Sequence, residues 1–186
     1  MQINSVAQVD CLSEQMYSSP DPAARQQAQA SLEQLTKDDA DRSIIYSVLQ
    51  QSNNQYTLPF MAQCLVIWFK SARKWISEEE KRSLLVVHCG GCLKRIIESG
   101  APRHVVNSML TSYARLTKLA FETEPFLEEA VNYPIELVRC EAEGSTMQLL
   151  GLMMLNTLVV EFSKYDSSKS KTYLTFIAHR HCNNNF

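Results

Sequence analysis

Few residues in this chain have the type and spacing to do chemistry. The first group is His88-Cys89-Gly90-Gly91-Cys92. A C-x-x-C pair is half of a tetrahedral zinc site or the core of a thiol–disulfide motif. The redox reading needs a strand before the pair and a helix N-terminus at the first cysteine. Here the pair falls inside a helical pattern, between Leu84-Leu85-Val86-Val87 and Leu93-Lys94-Arg95-Ile96-Ile97. The zinc reading needs a second ligand pair, and His179, His181 and Cys182 are the one cluster on offer, far along the chain. The stronger reading is small residues at a close helix–helix contact, since two glycines inside a helix cost about 1 kcal/mol each and call for a packing reason. Zinc and redox stand as the weaker alternatives.

No nucleophile–base–acid set stands out. Ser145 precedes an apolar run and reads as a helix N-cap. His104 sits beside Arg103 in a first turn and reads as exposed. Glu78, Glu79, Glu80, Glu128 and Glu129 fall in first turns, where carboxylates complement the helix dipole. Neither G-x-x-x-x-G-K-[ST] nor G-x-G-x-x-G occurs, so no phosphate-cradling loop is expected. We therefore expect a non-enzyme with no catalytic, cofactor-binding or metal-binding residue.

Two basic groups carry a binding hypothesis. Lys70, Arg73 and Lys74 finish one apolar helix, and Arg115 and Lys118 lie three apart on the polar side of another, opposite Met109, Tyr113 and Leu116. If both helices line one concave surface, Lys70, Arg73, Arg115 and Lys118 meet an acidic protein partner there. The competing reading is cations that complement helix C-termini.

The elements that must position these residues are helices. The chain has 186 residues, 45% hydrophobic and 20% charged, with five glycines and six prolines. So few turn residues disfavour an all-β protein. A net charge of -2, with 18 Lys+Arg against 20 Asp+Glu, argues against nucleic acid as the default partner. The N-terminus has no basic and apolar signal-peptide pattern, and six cysteines in a chain with a good core read as free thiols of a reducing, intracellular compartment. Met147–Phe162 carries Gly151, Asn156 and Glu161 and reads as too short to span a bilayer.

Eight helices and the start of a ninth are expected. The first ends near Tyr17, and Asp21 caps and Pro22 opens the second, which runs to Leu35. Asp38, Asp39 or Asp41 caps the third, and Ser52-Asn53-Asn54 ends it. The fourth covers Gln55 to Ala72, with Pro59 tolerated near its start. Ser77 and Glu80 form a capping box for a fifth that runs to Ile97. Pro102 opens the sixth, and Glu124-Pro125 opens a seventh that Pro134 kinks or breaks. The eighth spans Met147 to Ser163, and Thr172 to Ala178 begins a ninth. The helices come in pairs at a period close to the roughly 40 residues of HEAT and armadillo repeats. The fold expectation is thus all-α: a HEAT-repeat α-α superhelix, a solenoid of about four and a half helix pairs, with a closed helical bundle as the alternative.

The residues also resemble a known family. Asp21-Pro22 with Arg25, Ala28 and Leu32, then Gln55-Tyr56 with Ala62, Leu65 and Val66, then Lys74-Trp75, resemble the N-terminal domain of importin-β superfamily nuclear transport receptors. Leu110-Thr111-Ser112-Tyr113-Ala114-Arg115-Leu116-Thr117-Lys118-Leu119 resembles exportin seven and its relatives, and Val160-Glu161-Phe162-Ser163 resembles exportin four. The resemblance covers nearly the whole chain, with residues 23–98 as the core of the importin N-terminal-like segment. It implies an exportin-like module that binds the GTPase Ran in its GTP form, in a receptor that shuttles between nucleus and cytoplasm and meets nucleoporins and protein cargo. It implies no cofactor, nucleic acid or membrane. Family members are far longer, so the resemblance implies residues 1–186 hold the N-terminal arch as a fragment or truncated product. A helical-repeat interaction scaffold without Ran dependence is the alternative.

Overall fold

A computed structural model of the chain describes residues 3–37, 42–72, 75–121, 128–140 and 144–164. Every regular element among them is helical: α1 (Val6–Ser18), α2 (Pro22–Leu32) with a 3-10 turn at Glu33–Thr36, α3 (Arg42–Gln51), α4 (Thr57–Ala72), α5 (Glu78–Arg82), a π-helical segment (Ser83–Gly90), α6 (Gly91–Glu98), α7 (Arg103–Phe121), α8 (Glu128–Arg139) and α9 (Gly144–Ser163). The all-α expectation holds for these residues. The expected caps Asp38, Asp39 and Asp41, the opening Glu124-Pro125 and the segment Thr172–Ala178 lie outside them.

Local chemistry explains where the helices begin and end. The Asp21 carboxylate accepts from the Ala23 N–H at 2.9 Å, with Pro22 in the first helical position. Asn54 Oδ1 accepts from the Tyr56 and Thr57 N–H groups at 2.9 and 3.2 Å, which starts α4 where the polar break was expected. Ser77 Oγ accepts from the Glu80 N–H at 3.1 Å. The expected capping box is not closed, however: Glu80 Oε1 accepts from Arg42 and the Tyr46 hydroxyl on α3 instead. Gly100, at φ +69, ends α6. Its N–H bonds the Ile97 carbonyl and the Ala101 N–H bonds the Ile96 carbonyl, a left-handed stop that glycine makes at no steric cost.

Two expectations need correction. The fifth helix is not uniformly α, because Ser83–Gly90 is π-helical. A π segment adds a residue per turn, and here it keeps Leu84, Leu85 and Cys89 buried in register with Cys92, Leu93 and Ile96 beyond it. Of the kink or break expected at Pro134, the break does not occur, since α8 runs through it. Proline has no N–H to offer the carbonyl four residues earlier. That carbonyl is Ala130, and the buried Tyr113 hydroxyl of α7 donates to it. A neighbouring helix thus fills the bond that proline leaves open.

The helices pack in chain order. α1 lies on α2 and on both α3 and α4; α3 packs on α4 and against the π segment and α6; α4 packs on α7, and α7 on α9; α8 meets the π segment and α9. One apolar core runs through them, from Val9 and Leu32 through Leu65, Phe69 and Met109 to Met154 and Phe162. Gly90 and Gly151 mark its closest approaches. A Cβ on Gly90 would stand 2.7 Å from the Tyr133 ring, and one on Gly151 would stand 2.5 Å from the Pro134 carbonyl oxygen. Gly91, by contrast, faces open space. The close-contact reading of the two glycines therefore holds for the first and fails for the second.

α9 is 20 residues long. The expectation that this stretch is too short to span a bilayer fails, since by length and composition alone it is long and apolar enough. One face packs into the core through Met147, Leu150, Met154, Leu158 and Phe162, as in a core helix.

Candidate functional site

The four basic positions separate when placed on the fold. Lys70 is exposed in the last turn of α4. Arg73 lies outside the described residues, as does Lys74. Arg115 is exposed on α7, with its Nε 3.8 Å from Glu161 Oε1, a long and half-exposed ion pair. Lys118 corrects the sequence reading: it is 6% exposed rather than on the solvent side. Its ammonium donates to the Glu161 backbone carbonyl at 2.7 Å and stands 6.0 Å from the Phe162 ring centroid. Glu161 is in the last turn of α9, where carbonyls lack an intrahelical donor. Lys118 caps that end from the neighbouring helix, and the charge is spent inside the fold.

Lys118 was misplaced for a geometric reason. In α7 the buried set includes Tyr113, Ala114, Leu116, Thr117, Lys118 and Ala120, so the helix is covered by α4 on one side and by α9 on another. A two-sided helix leaves a narrow solvent strip. Arg115 falls on it; Lys118, about 60° away around the helix, is covered where the last turn of α9 meets α7. Among the described residues the candidate surface keeps Lys70 and Arg115, on helices that pack directly on each other.

The C-x-x-C pair is in the core. Cys89 and Cys92 are both buried free thiols. Burial pushes the Cys92 thiol up to about 11, against a smaller opposing pull from Arg95, and pushes Cys89 up as well. A metal ligand or attacking thiol needs the reverse shift. No group of three or more His, Cys, Asp or Glu able to hold a metal occurs among the described residues. His179, His181 and Cys182 lie outside them. Cys64 is likewise buried, its thiol pushed up to about 12 by burial, while Cys11 is exposed. His104 is exposed, as expected. Ser145 lies within α9, which begins at Gly144, rather than before it.

No family model, curated protein or solved structure matches this chain. The site is therefore read from its own geometry.

That geometry holds a polar cluster the sequence did not flag. Arg42 on α3 lies 4.7 Å from the Trp68 ring centroid and pairs with Glu80 at 3.2 Å. Tyr46, one turn on, reaches the same Glu80 oxygen and stacks on His88 with centroids 4.2 Å apart. Gln50 Nε2 stands 3.4 Å from His88 Nδ1. Burial and the Glu80 carboxylate push the Tyr46 hydroxyl up to about 12. Burial pushes the His88 imidazole down. One turn further, Arg95 donates to the Leu49 carbonyl at 2.9 Å and to Asn53 Oδ1, capping the end of α3. The partners stand far apart in sequence, and their one legible signal was the i, i+4, i+8 spacing of Arg42, Tyr46 and Gln50 along one side of α3.

Proposed function

We propose that this chain is an exportin-like nuclear transport module, an arch of paired helices that binds Ran in its GTP form. The supporting observation is the packing order: each helix pair lies on the next, with α4, α7 and α9 side by side and α3, the π segment and α8 in a second row. A HEAT-type solenoid would pack in this order, and in that reading the second helices of successive pairs share a surface. Lys70 and Arg115 stand exposed on two of them. The transport assignment within that architecture rests on the run of family-like motifs from Asp21 to Ser163. In this reading the full receptor shuttles between nucleus and cytoplasm, meeting nucleoporins and protein cargo beyond these 186 residues, and the chain itself is no enzyme.

The test is capture of the chain, or a longer version, on Ran loaded with GTP or with GDP. Binding to the GTP form alone supports the reading. Arg115→Glu with Lys70→Glu should weaken that binding by about tenfold or more while the circular dichroism stays unchanged, since charge-reversed rim contacts act on encounter and complementarity. Equal capture of both forms, or none by the longer version, returns the chain to the reading of a general helical-repeat scaffold.

A further inference from the structure

The side of α9 turned away from the core carries Leu149, Leu152, Val159 and Val160, each about half exposed. Thr146, Asn156 and Ser163 complete that side, and no charged residue interrupts it. Leu149, Leu152, Asn156 and Val159 follow the three-four alternation of a helix-packing seam, so the shape that fits it is another helix. We propose that its occupant is this chain's own segment Thr172–Ala178, which lies outside the described residues.

Three observations select that occupant. The stripe is small: a specific contact between separate molecules buries about 800 Å² on each partner, and four half-exposed aliphatic side chains fall well short. A tethered segment needs far less, because its effective concentration is in the millimolar range. The tether also reaches. From Lys164 to Thr172 is eight residues, up to about 28 Å when extended, against a helix of about 30 Å. Finally, the segment has the matching chemistry. Tyr173, Leu174 and Ile177 share one side at helical spacing, with Phe176 beside them and no charge between Thr172 and Ala178.

Hydrogen exchange on the intact chain, followed by mass spectrometry, tests this without any GTPase, so its failure leaves the Ran reading standing. Amides of residues 172–178 should exchange at least about tenfold more slowly in the wild type than in Leu152→Asp/Val159→Asp, whose changes fall on exposed side chains. Equal rates in the two proteins overturn the proposal. Leu174→Ser/Ile177→Ser leaves α9 untouched and should at least double the binding of anilinonaphthalene sulfonate; unchanged binding also overturns it. Sedimentation should find a monomer. A dimer abolished by Leu152→Asp/Val159→Asp gives the stripe to a second copy and overturns it as well.

Discussion

The chain joins neighbouring helices twice with the same three ingredients, a basic side chain, a glutamate and an aromatic ring, and the two joints differ in what the cation holds. At the α3 joint, Arg42 lies over Trp68 and pairs with the Glu80 carboxylate, its side chain 37% exposed. At the α9 joint, Lys118 stands by Phe162 and donates to the backbone of Glu161, 6% exposed. Water competes for the first cation and screens its partner, so such pairs contribute about 0.2–1 kcal/mol. The second cation satisfies a helix-end carbonyl in a place solvent hardly reaches, and losing a buried partner costs about 1–3 kcal/mol, more when charge is involved. Residue type alone does not rank the two joints; the identity of the acceptor and the burial do.

The largest expected effect is therefore at Lys118. Lys118→Ala removes the bond to the Glu161 carbonyl and the packed stem together, and should destabilise the chain by about 3 kcal/mol in urea unfolding. Lys118→Met keeps the stem and should cost about half as much. If both cost under about 0.5 kcal/mol, Lys118 is no buried brace and returns to the surface reading. Next comes Tyr113, whose hydroxyl serves the carbonyl that Pro134 leaves open. Tyr113→Phe should cost about 2 kcal/mol. Most of that loss should vanish in a Pro134→Ala background, where an intrahelical N–H again reaches Ala130. An additive double-mutant cycle would mean the hydroxyl is not compensating for proline. Arg42→Ala should cost less, about 1 kcal/mol, from a screened ion pair and a partly exposed contact with Trp68. A cost equal to that of Lys118→Ala would erase the distinction between the joints.

How far these joints were legible in the sequence follows from which interactions are local. Caps were legible: Asp21-Pro22, Ser52-Asn53-Asn54 and Ser77 act within three residues of themselves, and each sits at a helix boundary. Helix content and the core stripe of α4 were legible for the same reason. What failed was reach across helices. Glu80 had two offers, its own N-cap and Arg42 on another helix, and only the local one is visible in a linear pattern. Lys118 looked polar-facing because one-sided periodicity assumes one neighbour, whereas α7 has neighbours on two sides. Pro134 reads as a kink or a break because the donor that serves the Ala130 carbonyl, Tyr113, lies 17 residues from Ala130 in the chain. Of the candidate surface, Lys70 and Arg115 were placed correctly as exposed, whereas a shared surface for them depends on how α4 and α7 pair, which periodicity suggests but cannot orient.

The smallest effect tests the α3 joint by pH. His88 sits against the Tyr46 ring and the Gln50 amide, with Glu80 accepting from that ring's hydroxyl and Arg42 paired to Glu80. Burial holds its imidazole below the ordinary value of 6.5, so the folded chain favours the neutral ring. As pH falls, the unfolded chain takes up its proton first. The stability contributed by neutral His88 is therefore complete above about pH 6.5 and is lost as pH drops through the folded value. Thermal unfolding should show a melting temperature that declines from pH 7 to pH 5, with a shallower slope in His88→Gln. Slopes, not midpoints, carry the comparison, because glutamine also removes the stack on Tyr46. His88 contacts Tyr46 and Gln50 rather than Lys118, so a Lys118→Met chain should keep the wild-type slope from a lower midpoint. If instead His88→Gln leaves the slope unchanged, protonation at the α3 joint is accommodated by its exposed side, and the two joints differ in strength but not in their response to acid.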